Sequence, residues 1–199
     1  LFRSLLLEAQ LIKEQQPLFN KRLRQNRQLC SLRLADDRPQ VVYASELDFS
    51  QQSDLYGLFA NRRAALQALQ KIADEHRLCY GLMGLEPLNR GRACFRSALG
   101  RCAGACCGKE SVETHHQRLR ENMQKMQLVC WPWAGAIALE ESSDDMTQYH
   151  IIQNWLWLGA VASLSQASSL TRLSAKFDHD GYKILCKPLL SGRYKLHPL

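Results

Sequence analysis

The stretch from Leu78 to Gly108 constrains the fold more than any other part of the chain. It holds six glycines and five cysteines, few large aliphatics and no clear helical or strand period. An irregular segment of that length inside a compact domain is either functional or clamped by something other than a core. Four of its cysteines fall as Cys79-x14-Cys94-x7-Cys102-x3-Cys106. Two readings of them stand side by side. They are small apolar residues in a core, or they are four thiolates holding a zinc ion or an iron–sulfur cluster that pins the loop. The spacing is not the pair of CxxC units that marks zinc directly. Leu5-Leu6-Leu7 is followed at once by Glu8, without the pattern of a secretory signal, so a reducing compartment is expected and disulfides are not. Cys107 is an adjacent alternative ligand, while Cys30, Cys130 and Cys186 read as ordinary core or surface residues.

Around that segment there is material for a normal core: 199 residues, 46% hydrophobic and 23% charged. This suits one ordinary domain or two small ones and excludes a disordered chain. No apolar run approaches the roughly 18 residues of a membrane helix, so a soluble, membrane-free protein is expected. Lysine and arginine outnumber the acids 26 to 19, a formal charge of +7, which favours a polyanionic partner, nucleic acid before membrane surface. The first residues, Leu1-Phe2-Arg3-Ser4, lack an initiator Met and read as the interior of a longer protein.

Periodicity predicts a helix from Leu1 to about Pro17 with Leu5, Leu6, Ala9 and Ile12 on one face. Strands are predicted at Leu29–Leu34 and Gln40–Tyr43, joined by Asp36-Asp37-Arg38-Pro39 as a hairpin turn. A second helix runs from Asn61, its N-cap, to about His76, with Ala65, Leu66, Leu69, Ile72 and Ala73 inward. A polar helix follows at Ser111–Gln127. Leu128–Glu140, Gln148–Leu158 and Tyr182–Pro188 read as strands on their aromatic and β-branched content, and Ser163–Leu173 as a short helix. A boundary is expected near Lys125. Trp131, Trp133, Trp155 and Trp157 are read as core in preference to a base-stacking platform. His115-His116 are expected to be exposed, and His179 to lie in a polar turn.

Glu8 sits between apolar residues in Leu5-Leu6-Leu7-Glu8-Ala9-Gln10-Leu11-Ile12-Lys13, followed by Pro17-Leu18-Phe19-Asn20. Taken alone, such a glutamate simply faces solvent. The whole string, however, resembles the C-terminal part of the GIY-YIG nuclease domain of the UvrC family, whose helix carries one metal-binding Glu with an Asn twelve residues beyond it. Tyr56-Gly57-Leu58-Phe59, the helix to Leu78, Cys79, Cys94-Phe95 and Arg101-Cys102 to Cys106 look like the UvrC segment that follows the nuclease domain. Met146-Thr147-Gln148-Tyr149-His150 and Asn154-Trp155-Leu156-Trp157-Leu158-Gly159 resemble the shorter, Cho-type branch of that family, with no UvrB-binding hairpin and no RNase H-like domain.

The resemblance implies an α+β protein in three parts: residues 1–28 as the end of a GIY-YIG nuclease domain, 29–125 as a UvrC-like middle region with the cysteine-rich segment, and 126–199 as a C-terminal mixed α/β block with aromatic strands. It implies an excinuclease that incises damaged double-stranded DNA 3′ of a lesion in nucleotide excision repair, with UvrA/UvrB supplying lesion recognition, in a bacterial cytoplasm. Catalysis would need Mg²⁺ or Mn²⁺ on Glu8, with Asn20 holding the backbone of the site. The GIY and YIG tripeptides, with their Tyr and Arg, are missing from these residues, so the chain is expected not to cut DNA unaided. Cys79, Cys94, Cys102 and Cys106 all have UvrC counterparts, and a [4Fe–4S] cluster is the sharper form of the metal expectation, with Zn²⁺ as the other. Lys13, Lys21, Arg22, Arg24 and Arg27 near Glu8, and Arg90, Arg92, Arg96 and Arg101 among the cysteines, are the expected DNA contacts. The alternatives are a non-catalytic DNA-binding module with a cysteine-held metal, and a GIY-YIG nuclease outside repair.

Overall fold

The computed structural model of the chain describes residues 2–15, 28–88, 91–143, 146–170 and 177–199. The fold is mixed α+β, with two antiparallel sheets in two compact units. One unit, here the cysteine-bearing unit, takes residues 27–47 and 53–128; the other, the tryptophan-bearing unit, takes 1–26, 48–52 and 129–199.

In the cysteine-bearing unit, β1 (Cys30–Ala35) and β2 (Arg38–Tyr43) form the expected hairpin, paired from Cys30↔Tyr43 to Ala35↔Arg38. Its turn is shorter than the sequence suggests. Asp36 and Asp37 alone make it, at φ 49° and 59°, the left-handed pair that matches strand twist and that Asp tolerates. A strand not foreseen from periodicity, β3 (Leu55–Phe59), completes the sheet in the order β2-β1-β3. Its register against β1 slips by one residue, and Gly57 at φ 70° sits in that bulge.

Helix α2 (Arg62–Glu75) starts where expected, with the Asn61 side chain accepting from the Ala64 amide. It buries Ala65, Leu69, Ile72 and Ala73. A short turn, α3 (Phe95–Ala98), and α4 (Val112–Gln124) follow. The N-cap of α4 is Ser111, whose hydroxyl accepts from the Thr114 amide at 3.0 Å. The core joins Cys30 and Leu32 of β1, the inner face of α2, Leu78 and Met83, and Leu119 and Met123 of α4.

The second sheet has the order β6-β5-β4-β7, with β4 (Ile137–Ser143), β5 (Met146–Gln153), β6 (Leu156–Val161) and β7 (Lys195–Pro198). Both faces are covered, and the period of two separates them. Ile137, Leu139 and Ile152 pack with Leu6, Trp131, Trp155, Leu185 and Leu189. Ala138 and Ile151 pack on the other face with Leu158 and Ala167. Helix α1 (Phe2–Gln15) belongs to this unit and buries Leu6 and Ala9, whereas Leu5 is 49% exposed.

Five sequence expectations are corrected in this unit. Residues 128–136 do not extend the strand, because Pro132 and Gly135 interrupt it and only Ile137–Ser143 pairs. Gln148–Leu158 is a hairpin in place of one strand, turning at Asn154 and Trp155 with φ 52° and 64°. Tyr182–Pro188 is helical, within α5 (His179–Leu190). Asp178 caps α5 by accepting from the Gly181 amide, and Leu185 and Leu189 one turn apart face the core. His179 is accordingly a first-turn helix residue, and the Ser163–Leu173 expectation reduces to a 3-10 segment at Leu164–Ser169 among the described residues.

Candidate metal centre and its basic surroundings

Four cysteines of the 78–110 segment converge on one point. Cys79, Cys94, Cys102 and Cys106 bring their sulfurs within 4.8 Å of one another, the described residues' only such group of three or more His, Cys, Asp or Glu. Cys79 follows α2, where Arg77 takes a left-handed φ of 54° and turns the chain inward. Cys94 is the N-cap of α3. Cys102 and Cys106 flank Gly104, at φ 88°, where a side chain would collide with Lys109. Leu82 and Leu88 pack on the sulfurs. Cys107 stays out of the set, its thiol donating to the Gly104 carbonyl at 3.3 Å.

Amides point at these sulfurs. The Gly104 N–H donates to Cys102 Sγ at 3.3 Å and the Cys94 N–H to Cys106 Sγ at 3.5 Å. Burial pushes the Cys102 thiol up to about 12 and also raises Cys79, against the Leu82 and Gly81 amides. Burial acts the same way on Cys94, but the Ser97 amide and the three neighbouring thiols outweigh it and lower its pKa. Four thiols at this spacing without disulfides, three of them buried and Cys94 partly so, repel one another once ionised, and a cation at their centre removes that conflict. The set can hold a metal.

The frame around it is polar and tightly paired. The Cys79 amide donates to His115 Nε2 at 3.0 Å, so that nitrogen is unprotonated and the neutral ring carries its proton on Nδ1. Burial, with His116 and Arg118 adding positive charge, holds the His115 pKa down at about 4. The expectation that His115 is exposed is therefore wrong: it is 1% exposed. Its place could have been read from the spacing of His115, Leu119, Asn122 and Met123, the buried stripe of α4. Arg118 grips Glu110 with both terminal nitrogens and the His76 carbonyl with Nε at 2.9 Å. Arg77 Nε donates to the Gly100 carbonyl at 3.1 Å. These partners were not singled out from the sequence.

Of the expected DNA contacts, Arg92 and Arg101 are exposed. Arg96 is turned inward: it pairs with Asp74, donates to the Arg101 carbonyl at 3.2 Å and lies 3.7 Å over the Tyr80 ring. Glu8 is exposed on α1, opposite the buried Leu6 and Ala9. Lys13 is in α1, with its side chain not described; Asn20, Lys21, Arg22, Arg24, Arg27 and Arg90 lie outside the described residues. The tryptophans form a core. Trp131, Trp133 and Trp155 meet edge to face with centroids 4.6–6.3 Å apart, and Trp155 is fully buried. Among the described residues no helix is long and apolar enough to cross a membrane.

Two family models match the chain. Residues 19–125 match the UvrC/Cho excinuclease middle domain, and residues 136–199 the excinuclease Cho C-terminal domain. The chain is 71% identical over 196 residues to excinuclease cho of Shigella flexneri and to that of Escherichia coli strain K12, covering 98% of this chain and 66% of each relative. It is 66% identical over 193 residues to excinuclease cho of Salmonella typhi, covering 97% of this chain and 66% of that protein. The chain thus spans just under two thirds of the length of these curated relatives. No solved structure matches it.

Proposed function

The chain belongs to the UvrC/Cho excinuclease family, and from that membership we propose that it works as part of a DNA repair endonuclease. The enzyme incises damaged double-stranded DNA on the 3′ side of a lesion, in the bacterial cytoplasm, after UvrA/UvrB has located the damage. The observation that carries the reading is the run of two excinuclease domain matches along one chain, 19–125 and 136–199.

Glu8 is the proposed ligand for Mg²⁺ or Mn²⁺. Leu6 and Ala9 bury one side of α1 and leave this carboxylate in water, which suits a hard cation that keeps most of its hydration shell. When bound, the cation supplies charge neutralisation at the scissile phosphate and the departing 3′-oxygen. Asn20 fixes the neighbouring backbone, and Lys13, Lys21, Arg22, Arg24, Arg27, Arg92 and Arg101 contact phosphates, with Arg96 bracing the segment from within. The absence of GIY and YIG tripeptides from these 199 residues leads us to propose that they bind DNA without cutting it. The cysteine centre is a clamp on the DNA-facing segment. The family resemblance favours a [4Fe–4S] cluster; sulfurs all within 4.8 Å favour a single zinc, whose Zn–S bonds of about 2.3 Å place tetrahedral sulfurs roughly 3.8 Å apart. Anaerobic iron, zinc and sulfide analysis distinguishes the two, and a preparation free of both metals removes the centre.

The test of function is incision of a duplex with one lesion, loaded with UvrA and UvrB, by the full gene product. A 3′ nick that needs Mg²⁺ and disappears in Glu8→Gln is the expected result. Binding without any nick, unaffected by Glu8→Gln, overturns the nuclease and leaves a DNA-binding module.

A further inference from the structure

The clamped segment exposes two apolar side chains that no core requires. Phe95 is 79% exposed and Leu99 55%. They lie four residues apart, and the Leu99 amide donates to the Phe95 carbonyl, so the two side chains share one face of a single helical turn. That turn is held firmly from behind. Cys94 at its start is one of the four clustered thiols, Arg96 at its second position is tied to Asp74, Tyr80 and the Arg101 carbonyl, and Arg77 holds Gly100 just beyond its end. An aromatic ring raised on an anchored turn loses little conformational entropy when it enters a partner.

The charge around the pair is of one sign. From Pro87 to Lys109 the sequence contains Arg90, Arg92, Arg96, Arg101 and Lys109 and no Asp or Glu. Of the bordering carboxylates, Asp74 is taken by Arg96 and the Tyr80 hydroxyl and Glu110 by Arg118, while Glu86, exposed, stands just before the run. Arg92 and Arg101 are exposed on either side of the pair. Apolar side chains between exposed cations fit one polymer well, because a nucleic-acid duplex offers phosphates on its rim and aromatic faces within.

We propose that Phe95, supported by Leu99, is a wedge that enters the base stack of double-stranded DNA at a disturbed step, with Arg92 and Arg101 on the flanking phosphates. The inference rests on the DNA-binding part of the proposed function. It deepens that reading by assigning this surface a preference for broken stacking, since insertion costs least where neighbouring bases are already apart. The four-thiol centre then serves to hold the turn rigid under the load of insertion.

The 199-residue chain is titrated against two duplexes of one sequence, intact and with a single unpaired base flanked by 2-aminopurine, over a range of salt. Wild type is expected to bind the disturbed duplex about tenfold more tightly, the scale of one base–aromatic stack, and to change the 2-aminopurine emission. Phe95→Ala loses both effects while keeping its affinity for the intact duplex and its salt slope. Phe95→Trp keeps both effects. Leu99→Ala loses about half of the preference on a logarithmic scale. Arg92→Ala with Arg101→Ala weakens binding to both duplexes alike and flattens the log–log salt slope by about 2. Equal affinity of wild type for the two duplexes, or a preference untouched by Phe95→Ala, overturns the wedge while DNA binding stands, and assigns the exposed pair to a protein partner. No salt-dependent binding of wild type to either duplex defeats the DNA reading itself.

Discussion

Each unit contains a long irregular stretch, and the two hold theirs by opposite means. Residues 129–136 and the Asn154–Trp155 turn are fixed by aromatic surface. Trp131, Trp133, Trp155 and Tyr182 pack edge to face, the Trp131 indole donates to the Gly135 carbonyl, and the Val129 amide donates to the Tyr182 hydroxyl. Residues 78–110 have no such surface and depend on four thiols with side chains bonded to backbone carbonyls. Aromatic packing works in any solvent that keeps water out. A thiolate centre works only where the metal, the redox state and the pH allow it. The 78–110 segment, one of the two stretches proposed to meet DNA, is therefore the one whose order answers to chemical conditions.

The sharpest way to break the contrast is to strip the metal or substitute Cys102→Ser. All four tryptophans lie in one unit, so their emission reports on that unit alone. If the four thiols hold zinc, chelation should abolish amide-exchange protection across 79–110 and leave tryptophan emission unchanged, because a structural thiolate–zinc site carries on the order of 10 kcal/mol. Coupled loss of both signals would show that the units do not stand separately. The reverse experiment is Trp155→Ala, which removes a fully buried side chain. It should destabilise the tryptophan-bearing unit by about 3–5 kcal/mol in denaturant melts, with metal content unaltered.

A subtler test concerns the polar frame. Arg118 bonded to both oxygens of Glu110 holds that carboxyl below its ordinary pKa. A depressed carboxylate adds stability that is complete above its unfolded value, about 4.3, and is lost as pH falls through the folded value. Glu110→Gln should therefore cost about 1–2 kcal/mol at pH 7, and wild type and variant should converge as pH falls through the depressed folded value. A gap that persists into acid assigns the loss to packing. The smallest effect belongs to Asn61→Ala, where loss of the cap on α2 should cost about 1 kcal/mol in the cysteine-bearing unit, with tryptophan emission constant.

What the sequence made legible follows from the kind of force in each place. Helix α2 was readable to its first residue because its apolar period and its Asn61 cap are local. The β1–β2 hairpin was readable because Asp36-Asp37 is turn chemistry. Helix α5 was misread because Tyr182 and Ile184 carry strand propensity; the counter-signals were the Asp178 cap and the Gly181, Leu185, Leu189 spacing. Pro188 misled in the same way, since it lies inside the helix near its end. The four clustered cysteines were legible as a set because the segment had no other means of order. Their frame was not, because His115 and Arg118 lie on α4 and meet the Cys79 amide and the His76 carbonyl across 36 and 42 residues of sequence. The inward turn of Arg96 onto Tyr80 and Asp74 was hidden for the same reason: a basic residue in a basic run gives no sign of which way it points.

One earlier detail bears on how such a protein can be taken apart. Residues 48–52 belong to the tryptophan-bearing unit although the chain on both sides of them belongs to the other. Phe49 is fully buried there, 5.7 Å from the Phe177 ring, and the Ser50 carbonyl takes the Trp131 amide. The C-terminal unit is thus no cassette that a restriction site at its family boundary, residue 136, could move intact into another gene. Such an excision would leave behind a phenylalanine encoded far upstream, along with helix α1. On a ribosome, too, Phe49 emerges long before its partner ring, Phe177, is made.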